Sequence, residues 1–135
     1  MTIIGKSRAA LAMICDALLS QGARRAFKIY NNLGIADKYW HSDFDITETI
    51  ILQDNDYILG AVMPETKQVL YNLFKLPYQT LINESAAVSH DAIIGKGSMI
   101  DANVSIAGGV TLGRFVTVYA NCSVNHDSTI GSYVT

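Results

Sequence analysis

Residues 82–135 repeat with a period of six, and no other feature of this chain restricts its fold so tightly. A branched aliphatic stands at Ile82, Val88, Ile94, Ile100, Ile106, Leu112, Val118, Val124 and Ile130. Four residues after each comes a small or β-branched residue: Ala86, Ala92, Ser98, Val104, Val110, Val116, Cys122, Ser128 and Val134. An α-helix repeats its side-chain directions about every 3.6 residues and a flat strand about every 2, so neither reproduces this pattern. A triangular coil does. Each hexad forms one flat side, its aliphatic fills the interior and its small residue fits where the section tapers. Three hexads close one turn, so the nine hexads predict three turns. Successive turns then stack by parallel strand pairing at roughly 4.8 Å, and positions i and i+18 become neighbours on one face. Glycine directly after the aliphatic, in Ile94-Gly95, Leu112-Gly113 and Ile130-Gly131, is expected to relieve a tight corner.

The segment 1–76 follows another rule. Thr2-Ile3-Ile4-Gly5 reads as a strand ending in glycine, and Leu11, Ile14, Cys15 and Leu18 recur at helical spacing up to Gln21-Gly22. Residues 26–30 offer a second strand that closes at Asn31-Asn32, and residues 48–52 and 57–62 are strand-like. Pro64 suits a first helical position, with Val69, Leu70, Leu73 and Phe74 as the apolar face and an end near Leu76-Pro77-Tyr78. Strands alternating with helices imply a small parallel sheet in an α/β domain over residues 1–76, followed by the coil over 77–135. Ligands of such sheets bind at the carboxyl ends of the strands, here the loops after Gly5 and Tyr30. Lys6, Ser7 and Arg8 open the first helix, where free N–H groups can hold phosphate. GxGxxG is absent, because the loop reads Gly5-Lys6-Ser7-Arg8-Ala9-Ala10, and an ordinary βα turn is the plainer alternative.

Composition excludes several partners. Ten basic residues stand against twelve acidic ones without a basic run, which leaves no electrostatic footprint for nucleic acid or an anionic membrane. The apolar stretch at 9–19 is broken by Asp16 and lacks a small-residue cleavage site, so neither a leader nor a membrane span is expected and a cytoplasmic location follows. Cys15 and Cys122 lie outside any CxxC or Cys/His cluster and read as small core thiols, with no metal role. His90 and His126 share one hexad position but stand two turns apart, roughly 10 Å at the strand spacing, too far to share a metal in one chain. His41 offers little beyond a loop position.

The stretches Ile82-Asn83-Glu84-Ser85-Ala86-Ala87-Val88-Ser89, Ile94-Gly95-Lys96-Gly97 and Val124-Asn125-His126-Asp127-Ser128-Thr129-Ile130-Gly131 resemble the hexapeptide-repeat acetyltransferases. The likeness is strongest to the branch that acetylates nucleotide-linked amino sugars in bacillosamine and perosamine pathways, together with sialic acid O-acetyltransferases. The resemblance implies a Rossmann-like domain ahead of a left-handed parallel β-helix, a homotrimer, acetyl-CoA as co-substrate and a nucleotide sugar as acceptor. It also implies that His126 acts as general base with Asp127 as its acidic partner, and that Gly5, Lys6, Ser7 and Asn31 lie near the nucleotide sugar. The chemistry is coherent: an amine or hydroxyl attacking a thioester must lose a proton, and an imidazole oriented by a carboxylate can take it. Three positions depart from the family pattern. The Gly-rich loop is reduced to Gly5 with Ser7, the usual acidic pair is Asn31-Asn32, and Thr135 stands where many members carry a second histidine. Family members continue for further turns that supply most of the acetyl-CoA groove. A repeat that stops at Thr135 is therefore expected either to be a truncated product or to be covered there by another subunit or chain, and a catalytically inactive, truncated sugar-binding or assembly module is the alternative to an enzyme. A γ-type carbonic anhydrase, built on the same coil, needs three zinc-binding histidines, and only His90 and His126 fall in the repeats.

Overall fold

A computed structural model describes residues 1–22, 27–32, 46–49 and 52–135. Ala26, the first residue of the expected second strand, and His41 lie outside the described residues. Strand β1 (Thr2–Ile4) runs between β2 (Phe27–Tyr30) and β4 (Tyr57–Leu59), and β3 (Ile46–Glu48) pairs with β2. All pairings are parallel, in the order β3-β2-β1-β4. Thr2, Ile3 and Ile4 are fully buried, which is why a central parallel strand reads as a continuous apolar run. Helix α1 (Arg8–Ser20) starts at Ser7, whose Oγ accepts from the Ala10 N–H, and ends before Gly22 at φ +67°. Helix α2 (Pro64–Leu73) begins on its proline as expected.

Two strand boundaries differ from the sequence pattern. β3 occupies 46–48, earlier than the expected 48–52, of which residues 50 and 51 lie outside the described set. β4 stops at Leu59, short of the expected end at Val62. Gly5 and Gly60 pass so closely that a Cβ on Gly5 would meet the Gly60 oxygen at 2.8 Å, and one on Gly60 the Gly5 oxygen at 2.6 Å. Only two glycines permit that approach.

Nine two-residue strands follow: β5 (Leu81–Ile82), β6 (Ala87–Val88), β7 (Ile93–Ile94), β8 (Met99–Ile100), β9 (Ser105–Ile106), β10 (Thr111–Leu112), β11 (Thr117–Val118), β12 (Ser123–Val124) and β13 (Thr129–Ile130). They stack as three parallel sheets, β5-β8-β11, β6-β9-β12 and β7-β10-β13, with residue 93 beside 111 and 111 beside 129. The result is a parallel β-solenoid of the form expected of a left-handed β-helix. Its interior is the predicted double row, with Ile100, Val104, Ile106, Val110, Leu112, Val116 and Val118 buried together.

Two details correct the expectation. The corner is not made by the glycines after the aliphatics. Left-handed φ values of 55° to 75° fall three residues after the aliphatic, at Gly97, Asn103, Gly109, Phe115, Asn121, Asp127 and Tyr133. Gly95 and Gly113 serve stacking instead: a Cβ on Gly95 would run into the Gly113 backbone, and one on Gly113 would meet the Ser132 nitrogen at 2.5 Å. Cys122, expected in the core, is exposed, whereas Cys15, on the inner side of α1, is buried and desolvation pushes its thiol up to about 11.

The α/β part covers one side of the solenoid, that of β5, β8 and β11. Leu81 and Met99 join Ile14 and Leu18 of α1 in one core, and Thr117 is buried. An aromatic cluster completes the joint. Tyr71 of α2 and Tyr78 pack on Phe115 at 4.9 and 5.4 Å between ring centroids, and Phe115 stacks on Tyr133 at 5.4 Å. Lys67, also on α2, is buried and donates to the Val134 carbonyl at 3.2 Å and to Thr135 Oγ1 at 2.6 Å. On the other two sides, outward residues such as Ala87, Ser105, Ser123, Ile93 and Thr129 are exposed. No helix among the described residues is long and apolar enough to cross a membrane.

Candidate active site

His126 and Asp127 form the corner between β12 and β13 and are 81 % and 79 % exposed, as an outward hexad position requires. His126 Nδ1 lies 2.9 Å from Asp127 Oδ2. A carboxylate can only accept, so a neutral ring makes this contact as the Nδ1–H tautomer, whose Nε2 lone pair can take a proton from a substrate. The same two residue types recur two coils earlier at His90-Asp91, but there the carboxylate's hydrogen bonds go to Ser89 and Gly109. Asp91 Oδ1 accepts from the Ser89 hydroxyl at 2.6 Å and Oδ2 from the Gly109 N–H at 3.1 Å. The Ser89 hydrogen bond, with that of Gly109 and the charge of His90 adding, holds the Asp91 carboxyl below the usual range. Between the two pairs the corner carries only Gly108-Gly109.

The residues expected around the nucleotide converge on the carboxyl edge of the sheet. Gly5 N–H donates to the Tyr30 carbonyl at 3.0 Å, Lys6 N–H to Asn32 Oδ1 at 2.9 Å, and Ser7 N–H to the Gly60 carbonyl at 3.0 Å. Those three amides are therefore already bonded and do not form a phosphate cradle. The Lys6 ammonium, itself buried, meets Glu48 Oε1 at 3.3 Å, and Asn31 Nδ2 donates to the same oxygen at 3.1 Å. Two adjoining hollows open beside this cluster. One of about 380 Å³ is lined by Tyr30, Asn32, Glu65, Thr66, Val69, Leu70 and Leu73. The other, of about 210 Å³, is lined by Ser7, Asn32, Thr66 and the chain from Gly60 through Met63. Asn32 and Thr66 line both; the sequence pattern put Asn32 on the ligand-binding edge after Tyr30 and gave no sign of Thr66. Asn32 follows the end of a parallel strand, which was the available signal, while Thr66 is brought in only by the docking of α2. Among the described residues no group of three His, Cys, Asp or Glu side chains could hold a metal.

The two sites stand apart within one chain. The hollows belong to the α/β part, which packs on the β5-β8-β11 side. His126 occupies the corner where the other two sides meet, opposite that face.

Residues 91–125 match the family described as bacterial transferase hexapeptide, six repeats. No curated protein shows significant sequence similarity to the chain. Among solved structures, the acetyltransferase domain of PglB from Neisseria gonorrhoeae is 18 % identical with a TM-score of 0.80, over 98 % of this chain and 68 % of that one. The same domain in complex with acetyl coenzyme A gives 17 % identity and a TM-score of 0.82, over 98 % and 67 %. PerB from Caulobacter crescentus, in complex with CoA and GDP-perosamine, is 16 % identical with a TM-score of 0.78, over 98 % of this chain and 66 % of that one. The chain thus spans about two thirds of the length of these proteins. Its residues 91–125 thus match the bacterial transferase hexapeptide repeats, and along nearly its whole length it shares the fold of these proteins.

Proposed function

We propose that this protein transfers an acetyl group from acetyl-CoA to an amine or hydroxyl of a nucleotide-linked sugar, with His126 as general base and Asp127 as its partner. One observation carries the reading: the 2.9 Å contact from His126 Nδ1 to Asp127 Oδ2, on a solenoid shared with structures holding acetyl coenzyme A or CoA with GDP-perosamine. In the proposed reaction the acceptor nitrogen or oxygen attacks the thioester carbonyl carbon while Nε2 takes its proton. The tetrahedral intermediate collapses, the carbon–sulfur bond breaks, and the proton on Nε2 passes to the departing thiolate. Asp127 keeps the second ring proton on Nδ1 and stabilises the imidazolium between the two transfers.

The acceptor's nucleotide has a fitting place in the paired hollows of a Rossmann-like sheet, with the Tyr30 ring and the Asn32 and Thr66 side chains as contacts. Gly5, Lys6, Ser7 and Asn31 shape that edge, chiefly by holding the loops through Glu48, Asn32 and Gly60. On this view residues 1–76 hold the acceptor and residues 77–135, three turns of left-handed β-helix, carry the base. Because His126 lies on the corner opposite its own α/β part, the base that serves one chain's acceptor comes from a neighbouring chain, which favours a homotrimer of threefold symmetry. Acetyl-CoA and nucleotide sugars are cytoplasmic metabolites, and the protein is placed there accordingly.

The test is thiol release from acetyl-CoA by the purified chain with GDP- and UDP-linked amino sugars, and its loss in His126→Ala. Absence of both thiol release and acetyl-CoA binding with every such acceptor overturns the enzyme reading. Nucleotide-sugar binding without acetyl-CoA binding in calorimetry selects a non-catalytic sugar-binding module of the same fold.

A further inference from the structure

The corner beneath His126 is built around one peptide unit. Its N–H, that of Gly109, donates to Asp91 Oδ2 at 3.1 Å, and its C=O, that of Gly108, accepts from the Asp127 N–H at 3.0 Å. A peptide is planar, so fixing one end fixes the other. Asp91 is in turn fixed by the Ser89 hydroxyl at 2.6 Å. The line therefore runs from Ser89 through Asp91 and the 108–109 peptide to Asp127, and thence to the His126 ring.

Gly109 has a second part in it. Its φ of +71° is not what demands glycine, because Asn103 and Asn121 hold the same corner position at φ 55° and 63°. What demands glycine is Asp127: a Cβ on Gly109 would overlap Asp127 Oδ1. The carboxylate lies in the space that the missing side chain leaves, with its other oxygen on His126.

We propose that Ser89, Asp91 and Gly109 are positioning residues that hold the Asp127 carboxylate on Nδ1 of His126, and so keep Nε2 unprotonated toward the acceptor. The inference rests on His126 being the base. It also gives the earlier His-Asp pair a role, in which Asp91 braces the later pair instead of serving a second base.

Gly109→Asn tests the brace directly. Asparagine suits the left-handed backbone, and the atom it displaces is the end of a short side chain, so the fold survives while the Asp127 carboxylate swings away. The readout is the pair of imidazole nitrogen-15 shifts of His126 above its titration. The native chain is expected to show the Nδ1–H tautomer in majority, Gly109→Asn the Nε2–H tautomer, and Asn121→Gly no change. Where transfer is measurable, kcat should fall about tenfold in Gly109→Asn with the acceptor KM unchanged. Asp91→Ala, which adds no atom, should move the tautomer balance in the same direction and is the second variant if Gly109→Asn does not fold. A folded variant of either kind that keeps the native tautomer balance overturns the brace. A tautomer shift in a chain with no transfer activity leaves the brace standing and removes the base role, so the two readings fail separately.

Discussion

His126 meets Asp127 at 2.9 Å through Nδ1 and Oδ2, while Asp91, one residue after His90 on the same corner, bonds Ser89 and Gly109. Identical dipeptides two coils apart are thus chemically unequal. Asp127→Asn should cut thiol release by about a hundredfold, since the amide can donate to Nδ1 and favour the wrong tautomer. His90→Ala should leave it unchanged. Parallel assays of the two variants check both.

The glycine ladder gives a matched pair of stability predictions. Gly113→Ala places a methyl against the Ser132 backbone of the next coil and should cost about 2 to 3 kcal/mol, because a stacked coil cannot yield locally. Gly131→Ala meets nothing within 4 Å and should stay within about 0.5 kcal/mol of the native chain. Urea unfolding of the two variants, with unchanged m-values, measures the difference.

Phe115 joins the two parts of the molecule. It is 3 % exposed, contacts Tyr71, Tyr78 and Tyr133, and its ring lies over Gly97, where a Cβ would strike it. Phe115→Ala should destabilise by about 3 to 5 kcal/mol. Hydrogen exchange should rise first in α2, which loses its anchor, and later in the solenoid interior around Ile106.

Lys67 makes stability depend on pH. Burial lowers its pKa from 10.5 to about 8, since the ammonium is desolvated, with the Val134 carbonyl and the Thr135 hydroxyl as its hydrogen-bond acceptors. A base whose folded pKa lies below its unfolded one binds more protons when unfolded in the interval between them, so folding gains stability as pH rises from about 8 to about 10.5. Lys67→Met should remove that rise. Midpoints of urea unfolding at pH 7.5 and pH 10, compared between the native chain and the variant, read it directly.

Much of this was legible from residues alone. The six-residue period placed all nine solenoid strands and the buried rows because a triangular coil returns each side chain to the same environment every hexad, so burial leaves a local, countable mark. The strand, helix, strand order from Thr2 to Tyr30 was equally readable, since Ile3, Ile4, Leu11, Ile14 and Leu18 are sorted by the burial that α1 and β1 share at short range. The His126-Asp127 candidate also came from sequence, through its place in a hexad and its resemblance to known acetyltransferases.

Only the tertiary structure decided which neighbours each of these residues would have. That Asp91 serves Gly109, that Gly5 exists for Gly60, that Lys6 answers Glu48, and that Thr66 enters the hollow beside Asn32 all depend on contacts between distant parts of the chain, which leave no periodic trace. Local periodicity reports which side of an element is buried and says nothing of what it is buried against. Sequence therefore determined the coil and the corner on which His126 stands, and folding determined that this corner faces away from its own α/β part, because Ile14 and Leu18 of α1 pack with Leu81 and Met99 on the β5-β8-β11 side while Val69 and Leu73 of α2, read as part of an apolar face, stay exposed.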